Sequence, residues 1–153
     1  MTFTDLEQYL SNLPDEILND ASQIIAETAT EYYKETFTKK AFDGNPWEPA
    51  KKEKKTGSLL VDSGNLLNSI VPSLISREKV VISAGNDKAP YAQAHNEGFR
   101  GTVTVNPFTR KGNEVKGYTR EANLPQRQFL GKSEELNELI RTRIEEHLNT
   151  LTK

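Results

Sequence analysis

"DSGNLLNSIVPSLISREKVVISAG", residues 62–85, changes its period halfway along. In the first half Leu66, Leu67 and Ile70 recur at helical spacing behind Asp62 and Ser63, either of which can accept from unpaired N–H groups as a cap. A helix over 64–70 is predicted, with Ser69 in its last turn. In the second half, Val71–Ser76 and Lys79–Ala84 are rich in β-branched residues and flank a Ser-Arg-Glu-Lys turn, which predicts two strands. "VVISAG" has the density of a buried strand. The adjacent Asp62 and Ser63 also raise a nucleophile reading. A triad needs a base and an orienting group, the "GxSxG" elbow is absent, and the chain has only His95 and His147. Capping is the reading that fits.

Outward from this stretch, the N-terminal side is helical. Residues 15–42 place Ile17, Leu18, Ala21, Ile24, Ile25, Thr28, Ala29, Tyr32, Tyr33 and Thr36 three and four apart. Pro14 and the acids after it suit a helix start. A shorter helix over 4–10, capped by Thr4 or Asp5, precedes it. Residues 43–58 read as one long loop with two Pro and four Lys, longer than the ~12–15 residues at which a structureless connection becomes unusual. On the C-terminal side, "APYAQAHNEG" predicts a helix with Tyr91, Ala92 and His95 on one face and Gly98 as its stop. "GTVTVNPF" alternates Thr and Val as a half-buried strand does, with "EVKGYTRE" as its partner across a basic tip at 107–114. Ser133 caps a final helix whose buried face is Leu136, Leu139, Ile140, Ile144, His147, Leu148 and Leu151. The predicted class is α+β in a single domain over 1–153. A small antiparallel sheet of about four strands packs against long N-terminal and C-terminal helices.

Composition narrows the function classes. A net charge of −2 gives no overall basic excess for nucleic acid. The absence of cysteine rules out disulfides and thiolate metal sites. No apolar run approaches the ~20 residues of a membrane span, and the acidic N-terminus does not read as a signal peptide. His95 and Glu97, two apart on a helix, point apart, and His147 with Glu145 and Glu146 is no better, so no metal is expected. No cofactor or small-molecule substrate is expected either. Charge is uneven, however: residues 1–37 carry eight acids and one Lys, whereas 100–131 carry six bases and two acids. Either these are solvated faces, or they are complementary surfaces of two copies. Trp47 either folds back on the long helix or anchors an interface. Lys51, Lys52, Lys54, Lys55, Arg110, Lys111 and Arg127, with Phe129, are the other candidate partner-binding residues. Their basic groups could also meet phosphates, though no recognition motif accompanies them.

The motifs in order carry a resemblance. "GNPWEPAKK", "LLVDSGNLLNSI", "VVISAGN", "YAQAHNEG" and "LPQRQFLGKS" succeed one another between Gly44 and Ser133. The chain resembles the virion-morphogenesis, or tail-completion, family of tailed bacteriophages and prophages, of Mu and P2 type. The resemblance falls on Trp47, Pro49, Leu60, Ser63, Gly64, Leu66, Ser69, Ile70, Tyr91, Ala92, His95, Gly98, Pro125, Arg127, Phe129, Leu130 and Gly131. The sequence departs from the family pattern at Gln126 and Gln128 and in the segment between Gly98 and Pro125. The resemblance implies a non-enzymatic protein of the virion, assembled in the host cytoplasm, that completes the tail or neck for head–tail joining. It also implies other neck or tail proteins as partners and a ring of identical subunits, with direct DNA contact not expected.

Overall fold

The computed structural model describes residues 1–50, 60–61 and 64–151. It opens with helix α1, Phe3–Ser11. Its cap is Thr2, two residues before the Thr4 and three before the Asp5 expected. The Thr2 hydroxyl accepts from the Asp5 N–H at 3.1 Å, and the Asp5 carboxylate accepts from the Thr2 N–H at 2.9 Å, a reciprocal box that satisfies two end donors. The hydrogen bonds to Thr2 hold the Asp5 carboxyl below its ordinary range.

The predicted helix over 15–42 is shorter at both ends. Asp15–Ile17 forms a 3-10 turn, and α2 runs Leu18–Lys39. Lys40 turns left-handed at φ 54° and its N–H closes on Thr36 O, which stops the helix. Ala41–Phe42 (β1) then pairs with Asn45–Pro46 (β2) around Asp43 and Gly44. These two turn residues have φ values of 49° and 79°, the positive pair that a tight hairpin twisting with its strands demands and that Asp-Gly supplies. The first part of the expected long loop is therefore a hairpin. Residues 51–59 of it, including Lys51, Lys52, Lys54 and Lys55, lie outside the described residues.

After Gly64, which stands left-handed at φ 80°, α3 is a single turn, Asn65–Asn68, rather than the full 64–70. Asp62 and Ser63 lie outside the described residues. Strands β3, Val71–Ile75, and β4, Val80–Ser83, pair antiparallel with an irregularity between Pro72 and Leu74, where a proline without an N–H interrupts an edge. The ribbon rests on α2, and the Ser22 hydroxyl donates to Ser76 O at 2.8 Å. The "VVIS" strand is half-buried rather than buried, because a two-stranded ribbon on a helix covers one face only.

Helix α4, Ala92–Glu97, leads into β5, Phe99–Val105. The chain runs out through β6, Phe108–Arg110, and returns through β7, Asn113–Val115, and β8, Tyr118–Leu124. The "EVKGYTRE" segment is thus split. Val115 and Glu114 pair with Phe108 and Thr109, while Tyr118 onward pairs with β5 in unbroken register from Val105↔Tyr118 to Phe99↔Leu124. Helix α5, Glu134–Leu151, closes the fold along α2. Ser133 caps it as expected, its hydroxyl accepting from the Leu136 N–H at 3.1 Å. The class is α+β with small antiparallel sheets and long terminal helices. Among the described residues the strands form four separate two-stranded sheets, not one sheet of four.

Leu136, Ile140 and Ile144 of α5 share one buried core with Ala21 and Ala29 of α2, where the two helices lie against each other. His147 stands at the edge of this contact and faces Asp20 at 3.0 Å, and Leu151 is exposed. Where α2 ends, the core turns aromatic. Tyr32, Tyr33, Phe37, Phe42, Trp47 and Phe129 gather there.

Candidate functional site

Three of the sequence motifs, far apart in the chain, meet at this aromatic end. Phe37 lies between Trp47, edge-on at 5.5 Å, and Phe129, tilted at 5.2 Å. Such contacts contribute beyond simple burial. Trp47 is buried, and its indole N–H donates to Gln128 O at 2.8 Å. Of its two readings, the fold-back one describes its position. Phe129 is 1% exposed. Arg127 is also buried: its guanidinium donates to Glu48 O at 2.9 Å and to Pro49 O at 3.3 Å. Named from the sequence as partner-binding candidates, these three residues point inward and bind the chain to itself.

The "YAQAHNEG" helix supplies the third side. Arg127 N–H donates to His95 O at 2.9 Å. The Asn96 side-chain oxygen accepts from both the Phe129 and Leu130 N–H groups, at 2.9 and 3.0 Å. Asn96 was not singled out by sequence reasoning. A lone Asn near a helix end gives no sign of a partner thirty residues away. Ala92 is buried, while Tyr91 is exposed and meets the His95 ring edge-on at 5.5 Å. Gly98 adopts φ 81° and ψ 158°, a region open essentially to glycine. A Cβ there would stand 3.2 Å from the Gln126 backbone. Gly98 therefore lets α4 turn sharply against the segment from Pro125, itself half-buried, to Gly131.

A polar ring ties the start of α5 to the end of α2. The Ser133 hydroxyl lies 2.9 Å from the Asp43 carboxylate and 2.8 Å from the Tyr32 hydroxyl. Asp43 also accepts from the Glu135 N–H at 3.1 Å, so a turn residue ninety positions away caps α5 alongside Ser133. Tyr32 donates to Glu135 at 2.9 Å, and Tyr33 donates to Gly131 O at 2.8 Å. Burial raises both phenols above their ordinary range. Farther along, Leu66 and Ile70 are buried. The Ser69 hydroxyl donates to Leu66 O at 2.6 Å and accepts from the Gly85 N–H at 2.8 Å, joining α3 to the end of β4.

The ribbon from Phe99 to Leu124 is built differently. Among the described residues its strands pair with each other and are in more than glancing contact with no other element. Phe99, Gly101, Val103 and Val105 share a face with Leu124, Ala122, Arg120 and Tyr118. On that face Phe99 is 39% and Tyr118 48% exposed, and Phe108 beyond it is 42% exposed. The Phe99 ring folds over Gly101 at 3.2 Å from where a Cβ would stand. Arg110 and Lys111 are exposed at the tip, with Lys111 at φ 51° in the turn.

Among the described residues, no His, Asp and Glu cluster of three or more is gathered for a metal ion, and no helix is long and apolar enough to cross a membrane. The arrangement does two things: it fixes backbone to backbone at the aromatic end, and it offers a basic, half-apolar ribbon to the outside. Compared with known proteins, residues 1–149 match the model of the phage virion morphogenesis family. No curated protein and no solved structure matches the chain.

Proposed function

The chain belongs to the phage virion morphogenesis family, and on that premise we propose that it completes the tail or neck for head–tail joining, as one subunit of a closed ring. As a member of the family it is a structural phage protein associated with the virion and with other virion proteins. The proposed place is the head–tail junction, reached after assembly in the host cytoplasm, and the proposed role is non-enzymatic. One observation carries this reading. The charged and apolar groups left outside the aromatic core divide into an acidic helical body and a basic ribbon, so the subunit has two unlike, complementary surfaces. From Met1 to Phe37 there are eight acids and one Lys, and from Phe99 to Leu124 five bases and two acids. Unlike faces that meet head to tail close into rings when the rotation allows, and a junction on the particle's rotational axis suits a ring.

Deletion of the gene from its phage, followed by electron microscopy of the induced particles, tests the reading. Filled heads and free tails accumulating side by side support it. Normally joined particles overturn it. The competing reading is a nucleic-acid-binding factor that uses Lys51, Lys52, Lys54, Lys55 and the ribbon tip. The exposure of Arg110 and Lys111 favours it. It requires DNA binding that weakens steeply with salt, and absence of binding at low salt removes it.

A further inference from the structure

Between α1, α2, the β3–β4 ribbon and the turn before α5 the chain leaves an open groove of about 750 Å3. Its floor is apolar, with Leu6, Leu10, Leu18, Ile25, Ile82 and Leu130. Its charged lining is Arg77, Lys79 and Lys132 against Glu78, all exposed and all on the β3–β4 turn or the turn before α5. The acids of α1 and the 3-10 turn do not line it. Among the described residues no carboxylate pairs with any of the three bases. Arg77 donates to Asp15 O at 3.1 Å, and the Lys132 ammonium stands 4.8 Å from the centre of the Phe3 ring. A carbonyl and a ring face compensate a cation less than a carboxylate does.

We propose that this groove docks an acidic amphipathic helix of another virion protein. The apolar face of the helix covers the floor, and its carboxylates meet Arg77, Lys79 and Lys132. The helix is an acidic partner in head–tail joining, and the proposal rests on that reading for the partner's place in the particle.

Charge selects the occupant, with three bases against one acid on the lip. A second copy does not offer the match. Its ribbon carries five bases and two acids from Phe99 to Leu124, the same sign as the lip. Val71, Leu74 and Ile75 are exposed together on β3, but that strand holds no acid and leads directly to Arg77. Leu151 ends the acidic α5 but is one exposed side chain, not a face. Nucleic acid would have the wrong sign of partner for nothing on the lip, yet would leave the apolar floor in water. The walls select a helix. Val80 and Ile82, two apart on β4, line the groove with one face of the strand. The ribbon therefore offers side chains there rather than an unpaired edge, and a helix docks by side chains whereas an added strand needs an edge.

Two labelled helical peptides test this. They share a leucine face at i, i+3, i+4 and i+7 and differ only in the flanks, Glu in one and Lys in the other. In anisotropy titrations with the full chain the Glu peptide binds about tenfold more tightly than the Lys peptide, as a few exposed pairs of matched sign allow. Lys79→Glu with Lys132→Glu reverses the order. Both side chains are exposed, and Arg77, which holds the 3-10 turn, stays in place. Arg110→Glu with Lys111→Glu at the ribbon tip leaves the order unchanged, and a Glu peptide with serine for its leucines does not bind. The proposal is overturned by absence of binding, by equal binding of the two peptides, by binding that survives the serine replacement, or by a loss at the ribbon tip as large as at the lip. Laurate bound where neither peptide binds makes the groove a site for a small amphiphile. Self-association that Lys79→Glu with Lys132→Glu abolishes, without peptide binding, gives it to a second copy. Either result overturns the proposal as well. The titration uses no particles, so its failure leaves the joining role to be judged separately by micrographs.

Discussion

The aromatic end and the ribbon carry similar groups and use them in opposite ways. Trp47, Phe129 and Arg127 are shut inside, and every polar atom noted for them is bonded to backbone of the same chain. Phe99, Tyr118, Arg110 and Lys111 sit on a ribbon whose strands, among the described residues, pair with each other and are in more than glancing contact with no other element. An aromatic residue or an arginine is therefore not by itself a mark of an interface. What distinguishes the two regions is whether the rest of the chain closes over the group. The aromatic end ties distant parts of the chain together, and the ribbon is where the chain has surface left over.

The largest expected effect is at Phe129. Replacing a ring that is 1% exposed and packed on Phe37 by alanine costs about 3–5 kcal/mol through lost burial and the cavity left behind. Chemical denaturation of Phe129→Ala checks it. A loss under about 1 kcal/mol, the scale of an ordinary surface change, would break the contrast between the regions. Arg127→Ala comes next. It strands the Glu48 and Pro49 carbonyls, which receive a charged donor, at a cost of about 1.5–3 kcal/mol. Arg127→Lys recovers only part of this, because a single ammonium cannot reproduce the fork that reaches two successive carbonyls. Full recovery by lysine in the same unfolding measurement would reduce Arg127 to a point charge.

A smaller effect appears with pH. Burial raises the Tyr33 phenol above its ordinary value, and that of Tyr32 as well. An acid whose folded pKa is raised holds its proton more tightly in the native state. Its contribution is fully present below the unfolded value and is lost as pH rises through the folded one. Stability should therefore be flat on this account up to about pH 10, the unperturbed tyrosine value, and should fall above it. Tyr33→Phe gives up the bond to Gly131 O but flattens the alkaline limb. An unchanged limb in thermal melts across this range would mean that the ring is not held closed around the phenol.

Much of this was legible in residue order. The shift from helical to two-residue period at Ile70 predicted α3 and the β3–β4 ribbon, and Ser133 marked the start of α5. Helix ends were less so. α2 stops at Lys40 because the chain turns left-handed there, although the apolar spacing continues to Phe42. The single sheet became separate ribbons because alternation along one strand does not say which strand lies beside it. At the aromatic end, Trp47 and "QRQFLG" could be picked out but not oriented. Asn96 and Asp43 bond backbone groups 33 and 92 positions away, and local pattern carries no trace of such a partner.

The smallest expected effect sharpens the comparison most. Tyr118→Ala removes a half-exposed ring and its pairing with Val105 across the ribbon, a cross-strand contact of roughly 0.2–1 kcal/mol. That loss is confined to the ribbon. Because the ribbon, among the described residues, is in more than glancing contact with no helix, its fraying does not have to break the body, and global unfolding does not report it. The midpoint of thermal unfolding should stay where it is in the parent, while amide exchange accelerates only between Phe99 and Leu124, as expected of a unit that opens by itself. A midpoint that falls as it does for Phe129→Ala would mean that the ribbon is coupled to the aromatic end, and the division between a self-stabilised body and a surface left for a neighbour would be lost.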